Sequence, residues 1–499
     1  GKLHSLMWRS APSLVAVGAT LGGLELSRRR RDAAAAAAPQ SLWCWGRCVP
    51  RSTSSTDSSA AATATAGAAA TTLNNGGDVA DVAQANNMRS RKRSPVDVSF
   101  WSEQGRGVIA MSFGVAHGAA LDDAGELWAW TVEDREPIKL AAAPSRWLGL
   151  ARGRYTSLAC SGNGLYAVTS SGALLHWSSI AVPDAAPTRA CSTAASSGTP
   201  APPSPVRLGG ALAAVSATAV AASESHVLVT AKDGALFAFG ANERGQLGIA
   251  IGSEGSQEGG TSDSVGESGG CVEKLAAEEA ARVALPAGAR VVGAACGHGH
   301  SVAVLDDGSA FAWGDDRHLQ LGLRDDSIKA LRRGATHASR PAAVSGPWLA
   351  DGRDGRVRAV AAGGGGTEGG HTAFLVETTR GDELYTCGYG RWGALGARAF
   401  SHIAGLRPVT TLASLREYDE ALGRVVPLRI LSVACGDAHT AAVLSSGNVF
   451  TWGWNDGGQL GDGGKAATHT PVMLKAPAEF RLSRFAHVAC GPASTAAWS

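Results

Sequence analysis

The sequence predicts an all-β chain folded as a seven-bladed β-propeller, closed by half-blades from its N- and C-terminal ends and decorated with long loop and short helical inserts. Three observations predict it. A hairpin unit recurs with fixed internal distances, a glycine-rich loop follows it at a fixed interval, and complementary half-units stand at the two ends. Repeats of this kind signal a radial or stacked architecture in which no unit buries its own faces alone.

The hairpin unit runs from a histidine to an aromatic. His117 lies thirteen positions before Trp130, His226 thirteen before Phe239, His300 thirteen before Trp313, and His439 thirteen before Trp452. Gly164 takes the histidine place thirteen before Trp177. In a sixth unit His371 stands sixteen before Cys387, with three residues inserted at the turn. Between the two marks lie an alternating apolar run, a two-residue turn with Gly (Asp233-Gly234, Asp307-Gly308, Ser446-Gly447, Ser171-Gly172) and a second run. That is the pattern of a β-hairpin.

The loop behind the hairpin closes on a glycine nine positions after the aromatic place: Gly248, Gly322, Gly396 and Gly461 end GQLG, LQLG, GALG and GQLG. A cysteine often stands four before the histidine place, at Cys160, Cys296 and Cys435. The half-units complete the count. HVACGPASTAAW near the C-terminus is a first half, with Cys490 in register and Ser494 at the histidine place; LWCWG at Leu42–Gly46 is a second half with no first. Together they make the seventh blade and remove the open sheet edges.

These residues resemble the regulator-of-chromosome-condensation repeat, with its Cys-Gly, His-Thr, glycine turn, Trp-Gly and Gly-Gln-Leu-Gly. Residues 432–461, SVACGDAHTAAVLSSGNVFTWGWNDGGQLG, carry the pattern almost throughout, and the resemblance covers roughly residues 41–499. The units at Trp130 and Trp177 lack the GQLG part. The resemblance implies a seven-bladed propeller.

The conspicuous side chains read as structure. The five histidines recur one to a blade, which holds them apart, and Gly164 and Ser494 replace them. Their imidazoles are expected to bond to backbone. The cysteines read as small buried residues, and Trp130, Trp177, Trp313 and Trp452 as anchors packing blade on blade. No catalytic, cofactor or metal site is expected. The glycines at 363–366 lack the Lys-Ser/Thr of a phosphate loop, and Cys44 and Cys48 have no further ligands nearby.

Charge is nearly balanced, 45 Lys+Arg against 43 Asp+Glu, which argues against a dedicated nucleic-acid or membrane-surface footprint. Nine cysteines in 499 residues are no disulfide framework. The chain opens on Gly, and Met7 reads as an initiator. Residues 1–40 are Arg-rich and acid-poor (Arg9, Arg28 to Arg31, with Glu25) and read as an organelle presequence. A disordered tail and a weak membrane anchor over 11–26 are the alternatives. Residues 50–94 read as a low-complexity, disordered insert. They end on the basic run Arg89, Arg91, Lys92, Arg93, a solvated loop or a nuclear address.

Three further inserts, 250–286, 323–356 and 404–428, interrupt the propeller. CVEKLAAEEAARVAL in the first favours helix, as does TLASLREYDEALGRVV in the third, with Leu412, Leu415, Tyr418 and Leu422 on one side. Partner docking and plain decoration are equal readings of them.

The resemblance implies two kinds of function. With the leader it points to a mitochondrial scaffold, in the matrix or on the matrix face of the inner membrane. Its partners are proteins of a large assembly, a respiratory complex or the mitochondrial ribosome, and nucleic acid only indirectly. The other kind is a guanine-nucleotide exchange factor for a small GTPase, in the nucleus if the basic run is an address. A plastid location is a further alternative.

Overall fold

In a computed structural model, the chain is described over residues 41–47, 92–133, 136–142, 153–180, 204–249, 274–323, 336–349, 355–365, 369–419, 423–474 and 484–499. Residues 1–40, the tract Ser52 to Thr72, Cys48, Arg89, Arg91 and Leu422 lie outside them.

The described strands form seven antiparallel sheets and one separate two-stranded hairpin. The seven sheets are the blades of a propeller. Within a blade the strands run in chain order from the channel outward, as in blade four: Val291–Cys296, His300–Leu305, Ala310–Asp315 and His337–Ala343. Blades one, two and three start at Val108, Tyr155 and Ala217; blades five and six start at Arg356 and Ile430.

The seventh blade joins the two ends of the chain. Its order is Lys92–Asp97, Leu42–Gly46, Ser494–Trp498, His487–Cys490. Leu42 pairs with Trp498 and Gly46 with Ser494. This non-local pairing turns the row of sheets into a ring.

The thirteen-residue spacing has a register cause. His226 pairs with Gly240, His300 with Gly314, and His439 with Gly453, so the aromatic before each glycine lies opposite the residue after the histidine. That glycine is needed. Gly314 has φ +97°, and a Cβ there would lie 2.6 Å from the Gly299 carbonyl oxygen. The core is correspondingly a set of inter-blade seams, each filled by apolar side chains from two neighbouring sheets.

The inserts depart from expectation. Residues 274–282 form no α-helix: Lys274–Leu275 and Ala281–Arg282 both pair with the third strand of blade three, around a short 3-10 turn. The backbone groups on the outside of that strand need partners, and pairing outweighs the Ala/Glu propensity. Among the described residues of the third insert only Thr410–Ala413 is helical, and Arg416–Asp419 pairs with Arg424–Pro427 as a hairpin. Leu412 and Leu415 enter the seam between blades five and six, while Gly423 at φ +61° and two valines favour the hairpin after them.

Parts of the inserts are outer strands: His337–Ala343, Ile403–Pro408, and Lys92–Asp97 at the end of the 50–94 segment. Lys92 and Arg93 of the basic run belong to the last of these.

Candidate functional site

The repeated residues meet between blades. His226 Nε2 lies 2.7 Å from Ser301 Oγ of the next blade, His300 Nε2 2.9 Å from Thr372 Oγ1, His371 Nε2 3.1 Å from Thr440 Oγ1, and His439 Nε2 3.0 Å from Thr495 Oγ1. Each hydroxyl is the residue after the histidine place of its own blade. Each also donates to a main-chain carbonyl in the GQLG loop of the preceding blade. Ser301 donates to Gln246 O, Thr372 to Gln320 O, Thr440 to Ala394 O and Thr495 to Gln459 O, all within 2.7–2.8 Å.

The same carbonyls take a second bond from the aromatic place of the next blade. Trp313 Nε1 donates to Gln246 O (2.9 Å), Trp452 Nε1 to Ala394 O (2.8 Å) and Trp45 Nε1 to Gln459 O (2.8 Å); Cys387 Sγ lies 3.4 Å from Gln320 O. One carbonyl thus uses both lone pairs across the seam. We call this arrangement a staple. His117, His371 and His439 also meet backbone of the next blade, at Gly164, His439 and Ser494, and in each staple a hydroxyl of the next blade stands between ring and loop carbonyl.

The geometry sets the tautomer. Each hydroxyl spends its single proton on the carbonyl and can only accept from the imidazole, so Nε2 carries the ring proton. Burial pushes the histidines down, His226 and His371 to about 3 and His300 and His439 to about 4, and the rings stay neutral at neutral pH. His117 is also pushed to about 4 by burial, but Leu165 stands where its hydroxyl partner would be, and its ring lies against the Gly164 backbone.

The glycines of the motifs make room for these side chains. A Cβ on Gly297 would lie 2.1 Å from the His300 ring, and one on Gly436 2.2 Å from that of His439. The closing glycines of three loops lie on the indole of the next blade: Gly248 on Trp313, Gly396 on Trp452, Gly461 on Trp45; Gly322 faces Cys387. Trp130 and Trp177 are 1% exposed at the same register in blades one and two.

The thiols are equally occupied. Cys160 Sγ lies 3.3 Å from Ser112 O and Cys296 Sγ 3.5 Å from Ala221 O, both on the preceding blade. Burial pushes Cys435 up to about 12 and Cys296 and Cys490 well above the thiol range, which leaves them protonated and unreactive. Sequence reasoning missed the hydroxyl partners. Their signal was present: a Ser or Thr follows the histidine place in blades four to seven, and a Val or Leu in blades two and three.

What remains exposed projects from the ring. The hairpin 416–427 stands at the tight-turn end of the blades, where Ser445 Oγ donates to Glu417 Oε1. Its cross-strand pair Tyr418 and Val425 are each 63% exposed. At the opposite end lie the Cys-Gly-x-x-His and GQLG loops around a channel mouth lined by Phe113, Val115, Glu224 and Asp437.

Residues 446–498 match the family model "Regulator of chromosome condensation (RCC1) repeat", and residues 291–320 and 430–459 match a second model of the same repeat. The E3 ubiquitin-protein ligase HERC2 of Homo sapiens is 30% identical over 215 residues, 42% of this chain and 4% of that protein. The secretion-regulating guanine nucleotide exchange factor of Mus musculus is 28% identical over 214 residues, 42% of this chain and 41% of that protein. The chain therefore spans less than half the length of these relatives. The crystal structure of Prp20p from Saccharomyces cerevisiae superimposes with a TM-score of 0.57 at 19% identity, over 92% of this chain and 91% of that one. These matches show regulator-of-chromosome-condensation repeats within residues 291–320 and 430–498, and with the closed ring they support a seven-bladed propeller of that repeat.

Proposed function

We propose that this chain is a non-catalytic scaffold that holds protein partners on the loops and hairpin of a rigid ring. The observation that carries the reading is where the polar side chains go. The recurring histidines, hydroxyls and indoles are committed to seams, while the exposed pair Tyr418 and Val425 stands on an element that closes no blade. We place the scaffold in mitochondria, in the assembly of a large complex such as a respiratory complex or the ribosome. The Arg-rich, acid-poor stretch from Met7 to Arg31 supports that location.

Two experiments test this. A reporter fused to residues 7–31 should enter mitochondria, and a cytosolic or plastid reporter would refute the location. Affinity capture from isolated organelles should recover subunits of one assembly, fewer of them with Tyr418→Ser/Val425→Thr. An unchanged set would remove the hairpin from the reading.

A second reading, guanine-nucleotide exchange on a small GTPase, is favoured by the likeness to the murine exchange factor. It is favoured too by Prp20p, whose structure is described with its binding to Gsp1p and histones. Release of labelled GDP from purified GTPases, accelerated by the chain and lost with the hairpin variant, would establish it in place of the scaffold.

A further inference from the structure

The loop after the third strand of blade five, residues 389–402, differs from its neighbours in charge and in rings. It carries Arg391, Arg398 and His402 and no acid. In the loops of blades three and four, Arg244 and Arg317 both hold the buried carboxylate of Asp315, at 3.0 and 2.9 Å. Arg391 and Arg398 are exposed and have no acidic partner among the described residues; the Arg391 guanidinium lies 5.6 Å above the Trp392 ring.

Rings surround these two cations. Trp392 and Trp454 of blade six stand 6.4 Å apart, and Tyr389 packs on His402 at 4.8 Å and on His318 at 5.2 Å. Phe400, 50% exposed, packs edge-on against His469 at 4.6 Å. Half-buried Trp392 and Trp454 beside exposed Arg, backed by the buried Tyr389, is the composition of binding hot spots.

The backbone is strained at the same place. Among the described residues two non-glycine residues have positive φ: Leu319 at +65° and Arg398 at +60°. Leu319 occupies a turn position that is glycine in the sister loops, at Gly245, Gly393 and Gly458. Such strain costs free energy and concentrates where a surface has a task.

We propose that this patch, centred on Arg391, Trp392, Arg398 and Trp454, docks an acidic, extended peptide segment of a partner protein. Two uncommitted guanidiniums supply the charge complementarity, and the rings supply contact area for apolar residues between the acids. A nucleic acid fits less well. Two guanidiniums are too few for the run of phosphate contacts from which nucleic-acid binding draws its affinity. The proposal rests on the scaffold reading and names one partner chemistry for it.

The test uses the full chain and a fluorescein-labelled, Glu-rich dodecapeptide containing two Phe, followed by anisotropy. The peptide should bind saturably, its Gln-for-Glu counterpart should not, and rising salt should weaken it. Arg391→Glu/Arg398→Glu should weaken binding about tenfold, and Trp392→Ala should weaken it too. Arg290→Glu, exposed at the opposite end of the blades, should leave it unchanged. The altered side chains are exposed or half-buried, and thermal melts check that each variant is folded. Equal binding by the double variant, equal binding of the Gln peptide, no binding at all, or tighter binding of labelled oligouridine would each overturn the proposal. Partners captured on the hairpin face should persist in the double variant, so failure of the patch and failure of the scaffold reading are distinguishable.

Discussion

Blades three to seven and blades one and two join sheet to sheet by different chemistry. From blade three onward each seam carries a staple: imidazole, hydroxyl, carbonyl, and an indole or thiol. The three seams around blades one and two lack it. Between blades seven and one, Trp101, Trp128, Trp130 and Phe113 pack edge to face at 6.0–6.4 Å. Between blades one and two, Tyr155 and Trp177 of blade two, 6.0 Å apart, pack with Leu121 and Leu127 of blade one, and between two and three Tyr166 packs against Phe239 at 5.8 Å. Serines bridge these two seams to backbone, Ser112 Oγ accepting from Cys160 N and Ser157 Oγ from Val220 N.

The difference teaches what a repeat must keep. A staple needs two residue types on successive blades, so losing one relaxes the other. Blade two has Gly164 at the histidine place and blade three has Val227 at the hydroxyl place; blade seven has Ser494 and blade one Gly118. Apolar seams tolerate more sequences, because they need volume and not direction.

The largest effect should come from the junction where the two arcs meet. Deleting residues 484–499 removes both C-terminal strands of blade seven, the Thr495 hydroxyl and the Trp498 anchor. One buried Trp alone is worth about 3–5 kcal/mol against a domain stability of about 5–15. The ring should fail to melt cooperatively, and a parent-like melting curve would disprove closure.

Next in size, Trp130→Ala should cost about 3–5 kcal/mol in denaturant unfolding, because the seam between blades seven and one is built around that ring. His300→Ala should cost about 1–3 kcal/mol by stranding the Thr372 hydroxyl. A double-mutant cycle with Thr372→Val should show positive coupling. His117→Ala should cost less, since Leu165 already denies it a staple. Equal losses at His117 and His300 would erase the distinction between the arcs.

A further effect is graded by pH, small just below about 6.5 and growing as pH falls. The unfolded imidazoles take up protons near 6.5, the folded ones only near 3 to 4. Below about 6.5 the unfolded chain therefore binds more protons, so stability falls as pH falls toward 4 and is fully present above 6.5. Amide exchange should show protection weakening in blades three to six before blade two, which has no histidine at this place.

Much of this was legible in the sequence, for a reason the two arcs make plain. The His-to-Trp distance is a hairpin register and the GQLG loop is a hydrogen-bonded turn, so both leave fixed spacings at 226–248, 300–322 and 439–461. The pairing of the two chain ends was legible because LWCWG and HVAC each lack the half that the other supplies. The outer strands were not. Val206–Arg207 and His337–Ala343 are mostly exposed and follow no alternation that a period-two reading would find. The hairpin at 416–427 was misread as helix because Leu412 and Leu415 fit one helical turn, and nothing local says that the chain then reverses. The docking patch was invisible because its rings converge from three blades.

The most direct test of the staple is the protonation state of its histidines. Nitrogen NMR of histidine-labelled protein should show His226, His300, His371 and His439 as neutral rings protonated on Nε2, unchanged from about pH 7.5 to about pH 5. Replacing Thr372 or Thr440 with Val should perturb the resonance of the histidine on the preceding blade and no other. Rings that titrate near 6.5, or that carry the proton on Nδ1, would contradict the account.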